Sequence, residues 1–174
     1  MSLAKITLLI GVCCLTGCGP DIETQTSSTN QRDYTRTVSI DGVDVLTVTC
    51  SYLGNTPVDV EQYQEKYTHD FQKIKTNFYR VEFVNHTDFE IEAVGIFYQM
   101  RVGEYRGKAN RSAVDFEEVW GRVDIPARSG ISNDVNFVWA KGPNTLVKNY
   151  TFRAKHPVDQ TDVEFDCEVS LLYQ

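Results

Sequence analysis

Five thiols, three imidazoles and a run of alternating carboxylates are the groups in this 174-residue chain that could carry chemistry. Cys13, Cys14 and Cys18 crowd the amino end, while Cys50 and Cys167 stand alone and far apart. His69, His86 and His156 are scattered, and none has a second histidine at the spacing a helix or hairpin needs to share a metal. Asp162, Glu164 and Asp166 alternate, with Asp159 just before them, so one strand face is rich in carboxylates. A solvated face is the expected reading and a calcium site the alternative. No activated-nucleophile motif, glycine-rich phosphate loop or acid pair at catalytic spacing occurs. The chain therefore reads as non-enzymatic, with no catalytic residue, metal or cofactor expected.

The thiols at the amino end sit in a distinctive context. Lys5 precedes the apolar stretch 6–15, which is too short to cross a hydrocarbon core of about 30 Å as a stable helix. Leu15-Thr16-Gly17-Cys18 follows. This segment resembles the bacterial lipoprotein signal, in which Leu, a small residue and Gly or Ala lead into Cys. The resemblance implies a signal peptide over 1–17, cleaved so that Cys18 becomes the amino terminus and carries fatty acyl chains, palmitate among them. Several chains anchor a protein to a membrane stably where one would not. In that family Asp after the cysteine favours the inner membrane; Gly19 here implies the outer membrane, with the domain facing the periplasm. An exported, oxidising location makes Cys50 and Cys167 an expected disulfide, with two buried free thiols as the alternative.

Residues 18–32 are polar, with Thr24, Thr26, Ser27, Ser28, Thr29 and Asn30 in close succession, and read as a flexible tether. The fourteen residues after Cys18 reach about 20 Å on average. The remaining residues, 33–174, are the length of a single domain. The whole chain carries a net charge of −7. An acidic domain lacks the positive footprint that nucleic acid demands, so the expected partners are the membrane, through Cys18, and an envelope or secreted protein.

The patterns that must position these groups are mostly those of strands. Tyr34–Ile40 and Val43–Tyr52 alternate around Asp41-Gly42, which predicts a hairpin with a tight primed turn. Val60, Tyr63, Tyr67, Phe71 and Ile74 then recur every three or four residues, predicting an amphipathic helix over about 57–77. Strands are predicted at Phe78–Val84, Phe89–Val102, Val114–Ile125, Asp134–Ala140, Thr145–Lys155 and Asp162–Tyr173, with a β-bulge near Ala93 where the phase slips. The expected fold is mainly β: an antiparallel β-sandwich or flattened barrel of about eight strands with one helix packed on it.

One loop stands out. Tyr105, Arg106, Lys108 and Arg111 gather between the strands ending at Val102 and starting at Val114, on an otherwise acidic protein. Exposed basic and aromatic residues of this kind make it the candidate partner-binding surface. Val84-Asn85-His86-Thr87 and Ile125-Pro126-Ala127-Arg128-Ser129-Gly130 resemble the strand–turn pattern of immunoglobulin-like sandwiches on bacterial lipoproteins, over about residues 78–140. Ser129-Gly130, Phe137-Val138-Trp139-Ala140-Lys141-Gly142 and Cys167 are similar to the membrane-bound lysozyme-inhibitor lipoproteins, whose Ser-Gly-x-x-Tyr loop enters a lytic active site. Asn133 stands where that tyrosine falls. The leading expectation is a lipid-anchored protein-binding module; the alternative is an inhibitor or immunity protein that blocks a lytic enzyme or toxin.

Overall fold

The computed structural model describes residues 19–28, 32–57, 75–102, 105–139 and 144–173. In chain order the strands are β1 (Ile22–Ser28), β2 (Tyr34–Ile40), β3 (Val43–Pro57), β4 (Lys75–Asn85), β5 (Ile91–Val102), β6 (Tyr105–Ser112), β7 (Asp124–Ile125), β8 (Gly130–Trp139), β9 (Asn144–Lys155) and β10 (Asp162–Tyr173). Among the described residues one helix, α1 (Ala113–Trp120), lies between β6 and β7. Two antiparallel sheets result, in the orders β1-β2-β3-β4-β8 and β10-β9-β5-β6, with β7 paired to the start of β5. They pack face to face as a sandwich; neither closes into a barrel.

Local chemistry sets the registers. The β2–β3 turn has Asp41 at φ 49° and Gly42 at φ 76°, the backbone that lets a two-residue hairpin follow the strand twist. Thr35 and Thr37 of β2 meet Thr49 and Thr47 of β3 through hydroxyl hydrogen bonds of 3.3 and 3.1 Å, which places the alternate residues Leu46, Val48 and Cys50 in the core. The β5–β9 register slips between Ala93 and Gly95, where the sequence phase predicts a bulge. At the crossover from β4 to β5, buried Asn85 donates to the carbonyls of Phe89 and Ile125 and accepts from Thr87, so the chain changes sheets without an unpaired amide.

The core is an aromatic layer between the sheets. Phe83 of β4 lies 5.4 Å from Tyr150 and 5.5 Å from Phe152 of β9, both edge-to-face. Phe116 of α1 completes the layer, 6.0 Å from Phe83 and 5.7 Å from Phe152, with no exposed surface. Helix α1 stops at Gly121, whose φ of 74° gives a left-handed cap and whose N–H bonds the Glu117 carbonyl at 2.7 Å. Asn133 of β8 donates to the Val119 carbonyl and fixes the helix to that edge. The opposite side is closed by polar groups. The Ser170 N–H of β10 donates to the Tyr34 hydroxyl of β2 at 2.6 Å, and Arg36 donates to the Glu168 carbonyl and carboxylate at 2.7 and 2.8 Å.

Several expectations are corrected. Part of the expected tether is a strand: β1 pairs with β2 along its whole length, from Ile22 opposite Ile40 to Ser28 opposite Tyr34. All seven of its side chains are exposed, so it is held by backbone hydrogen bonding and leaves no apolar pattern. The expected helix over 57–77 begins and ends too widely, because Pro57 closes β3 and Lys75, Thr76 and Asn77 open β4; its middle, 58–74, lies outside the described residues. The expected strand Val114–Ile125 is α1 followed by the two residues of β7, since Phe116, Val119 and Trp120 follow helical spacing and Gly121 ends the run. The expected loop around Tyr105–Arg111 is strand β6, paired to β5.

The strand directions give the sandwich two unlike ends. The chain enters at residues 19–21 on the end that also holds the turns 41–42, 86–90, 126–129 and 156–161. The β5–β6 hairpin opens at the other end, about 40 Å away for a twelve-residue strand at ~3.4 Å per residue. Because α1 contributes one fully buried ring to the inter-sheet layer, Phe116→Ala should destabilise the domain by about 3–5 kcal/mol. Guanidinium unfolding of the variant against the parent measures it.

Candidate functional site

Strand β6 carries the candidate binding residues on an edge of its sheet, and its alternation divides them. Arg106 pairs in register with Arg101, and Lys108 with Gln99; these positions share the outer face of the sheet, and Arg101, Arg106 and Lys108 are all exposed. Arg111 falls on the other face, where its guanidinium reaches the Asp115 carboxylate one helical turn ahead at 3.5 Å. Tyr105 pairs with Val102 where the hairpin opens. The structure therefore brings Arg101, Arg106 and Lys108 together at the end of the sandwich remote from residue 19. Arg111 is turned towards α1.

A further cation lies directly behind this surface and was missed in the sequence. Lys148 sits on the inner face of β9 in phase with Leu146, Tyr150, Phe152 and Ala154, and is buried. Its Nζ is 5.3 Å from the centre of the Tyr98 ring on β5. Burial pulls its pKa below the usual lysine value, and the nearby Asp115 carboxylate partly opposes that. The signal was legible: a lysine in the apolar phase of an alternating strand is a buried cation. Asp115 thus holds Arg111 by contact and acts electrostatically on Lys148, both on the inner face of the sheet.

The carboxylates of β10 are spread along its outer face and each has a cross-strand partner. Asp162 meets Lys155 at 2.7 Å, Glu164 meets Arg153 at 2.7 Å, Asp166 accepts from Thr151 at 2.8 Å, and Glu168 meets Arg36 at 2.8 Å. Among the described residues no group of three or more His, Cys, Asp or Glu side chains is placed to hold a metal ion. His69 lies outside the described residues; His86 bonds the Thr47 hydroxyl at 2.8 Å.

His156 organises the end where the chain enters. The Val158 N–H donates to its Nδ1 at 3.2 Å, which leaves the proton on Nε2, 2.9 Å from the Asp41 carboxylate. Asp41 also accepts the Asp21 N–H at 2.8 Å and returns its own N–H to the Asp21 carbonyl. The Asp21 amide, then His156, hold the Asp41 carboxyl below its usual pKa. This knot joins the start of β1, the β2–β3 turn and the β9–β10 turn. An open depression of about 670 Å³ beside it is lined by Pro20, Asp21, Asp41, His156, Asp162 and Glu164, among others.

The two remaining site expectations concern cysteines. Cys18 lies outside the described residues. Cys50 and Cys167 are free, buried thiols rather than the expected disulfide. They belong to facing sheets, and the Tyr34 ring stands between those layers, its hydroxyl bonded to the Cys50 thiol and to the Ser170 N–H. Burial pushes both thiols up to about 12. Ser129 and Gly130 do not form a projecting loop: the Ser129 carbonyl accepts from Asn85, and a Cβ on Gly130 would stand 3.1 Å from the Phe83 carbonyl.

No protein-family model matches the chain, and no curated protein matches it. Among solved structures it is similar to the X-ray structure of Northeast Structural Genomics Consortium target SoR45, with a TM-score of 0.42 and 8% identity over 72% of this chain and 83% of that one.

Thiols so deeply buried and so weakly acidic should not react in the folded protein. A maleimide at neutral pH should leave Cys50 and Cys167 unmodified until guanidinium unfolds the domain, after which peptide mapping should find both labelled. Recovery of the two peptides as a linked pair would show a disulfide instead.

Proposed function

We propose that this chain is a non-enzymatic, lipid-anchored binding module of the bacterial cell envelope, held to a membrane through acylated Cys18 and contacting a protein partner with its far end. The observation that carries the reading is the polarity of the sandwich. The chain enters at one end, and the basic group of Arg101, Arg106 and Lys108 lies on the outer face near the other. Between Cys18 and Ile22 there are only four peptide steps, about 14 Å at full stretch, because β1 takes up most of the polar segment. That short leash keeps the end at which the chain enters close to the bilayer, and the hairpin lies at the opposite end of the sandwich.

The strand order supports an immunoglobulin-like sandwich. Sheet order β3-β4-β8 facing β10-β9-β5-β6 corresponds to A-B-E facing G-F-C-C′, with α1 where a further edge strand would otherwise run. Such a body is a scaffold, so function rests on the surfaces it carries. The binding role is favoured over inhibition because a plug must project into a cleft, and Ser129-Gly130 lies flat against β4. A positive patch on a chain of net charge −7 is suited to an acidic protein surface.

Two outcomes follow. Cys18→Ala should move the protein from the membrane fraction to the soluble fraction on cell fractionation, and a variant still found with membranes would sink the anchoring reading. Arg106→Glu combined with Lys108→Glu should abolish partner capture in crosslinking pull-downs with the melting temperature unchanged. Capture at the parental level would clear the hairpin of that role.

A further inference from the structure

We infer that the end of the sandwich at which the chain enters is itself a lipid-contacting rim, which seats the tips of its turns in the headgroup region of a zwitterionic bilayer. This rests on the anchored reading above and goes beyond it, since a tether alone would leave the domain free to tumble.

Turn tips in water are ordinarily built from polar residues, glycine and proline. Here the tip of the β9–β10 turn is Val158, 77% exposed, and the β4–β5 turn presents Phe89, 40% exposed. Val43, beside the β2–β3 turn, and Ile22, at the start of β1, are 45% and 40% exposed at the same end. A single exposed aliphatic side chain needs no explanation. Four from four different segments, all at one end, form an apolar fringe.

The turns that hold two of these side chains are unusually well tied. In the β9–β10 turn the His156 N–H and carbonyl bond Thr161 and Gln160, the Asp159 carboxylate accepts from the Thr161 amide and hydroxyl, and His156 is pinned to Asp41. In the β4–β5 turn the Phe89 carbonyl accepts from both Asn85 and Thr87. Both side chains remain exposed. Their backbones are fixed, so little chain entropy is lost when the side chains meet another surface.

What covers that fringe is indicated by the chain. Cys18 is four steps from Ile22, so acyl chains on it would bring a bilayer to within about 14 Å of this end and of no other. The charge around the fringe sets the lipid class. Asp21, Asp41, Asp159 and Glu164 make the region acidic, which disfavours an anionic surface and leaves a zwitterionic one.

The test uses the full-length lipidated protein in phosphatidylcholine vesicles, with an environment-sensitive bimane placed at Val158→Cys, Phe89→Cys or Lys108→Cys. The unsubstituted protein supplies the background from its own buried thiols. Doxyl-labelled phosphatidylcholine should quench most of the emission from positions 158 and 89 and leave position 108 bright. Equal quenching at all three positions, or none at 158, in protein that floats with the vesicles would overturn the rim while leaving the anchor standing. Protein that does not float would overturn both. A second arm separates contact from mere nearness: with the bimane at Val43→Cys, adding Val158→Asp and Phe89→Asp should abolish quenching at position 43, and undiminished quenching would overturn the rim.

Discussion

Everything in this molecule depends on the contact of one phenylalanine with the opposite sheet. Phe83 stands on β4, the interior strand through which the first sheet joins β3 to β8, and its ring meets Tyr150, Phe152, Phe116 and Trp120. Two sheets related only by short crossovers have no covalent reason to stay together, and here no disulfide joins them. Apolar burial, at roughly 25 cal/mol per Å², must therefore do the work, and aromatic rings supply the most area per residue. The edge-to-face geometry at Phe83 explains why the layer is specific as well as large: it fixes the lateral offset of one sheet on the other, and hence which turns share an end.

A sandwich also has two open sides, and this one closes them by different means. On the β8 and β6 side, α1 lays Phe116 between the sheets, so closure is hydrophobic. On the β2 and β10 side, Tyr34 and Arg36 reach across to Ser170 and Glu168, so closure is by hydrogen bonds. Cys50 and Cys167, both free and buried, lie on this side. The Tyr34 phenol lies in register beside Cys50 and accepts the Ser170 N–H across the sheets.

The legibility of the sequence followed burial. Val43–Tyr52 and Thr145–Lys155 each have one face in the core, so their alternation was plain, and Asp41-Gly42 named the turn between β2 and β3. Strand β1 buries nothing, so Ile22–Ser28 left no period to read and looked like tether. In the α1 segment Val114 and Phe116 also fit a strand's alternation. The deciding residues were Val119, Trp120 and the glycine after them, which make sense only at helical spacing. The basic quartet was visible by composition, but not its division. Only the pairing of β6 with β5 separates Arg106 and Lys108 from Arg111. Lys148 shows the opposite failure, a residue in plain phase with the core whose charge did not prompt the question of where it sits.

The charge pattern of the second sheet raises a problem that its geometry resolves. One edge strand, β6, carries Arg106 and Lys108 on its outer face, and the other, β10, carries Asp162, Glu164, Asp166 and Glu168. Translating one copy alongside another would set β6 against β10 antiparallel, with opposite charges approaching and unpaired backbone groups available, which is the arrangement that leads exposed sheet edges to associate. The acidic edge is already committed, however. Lys155, Arg153 and Arg36 lie within salt-bridge distance of three of its four carboxylates, and Thr151 and Asn149 hydrogen-bond the fourth. Exposed pairs of this kind add little to stability, about 0–1 kcal/mol each. Their effect is to neutralise the β10 edge locally, so its carboxylates offer little uncompensated charge to the β6 edge of a second copy.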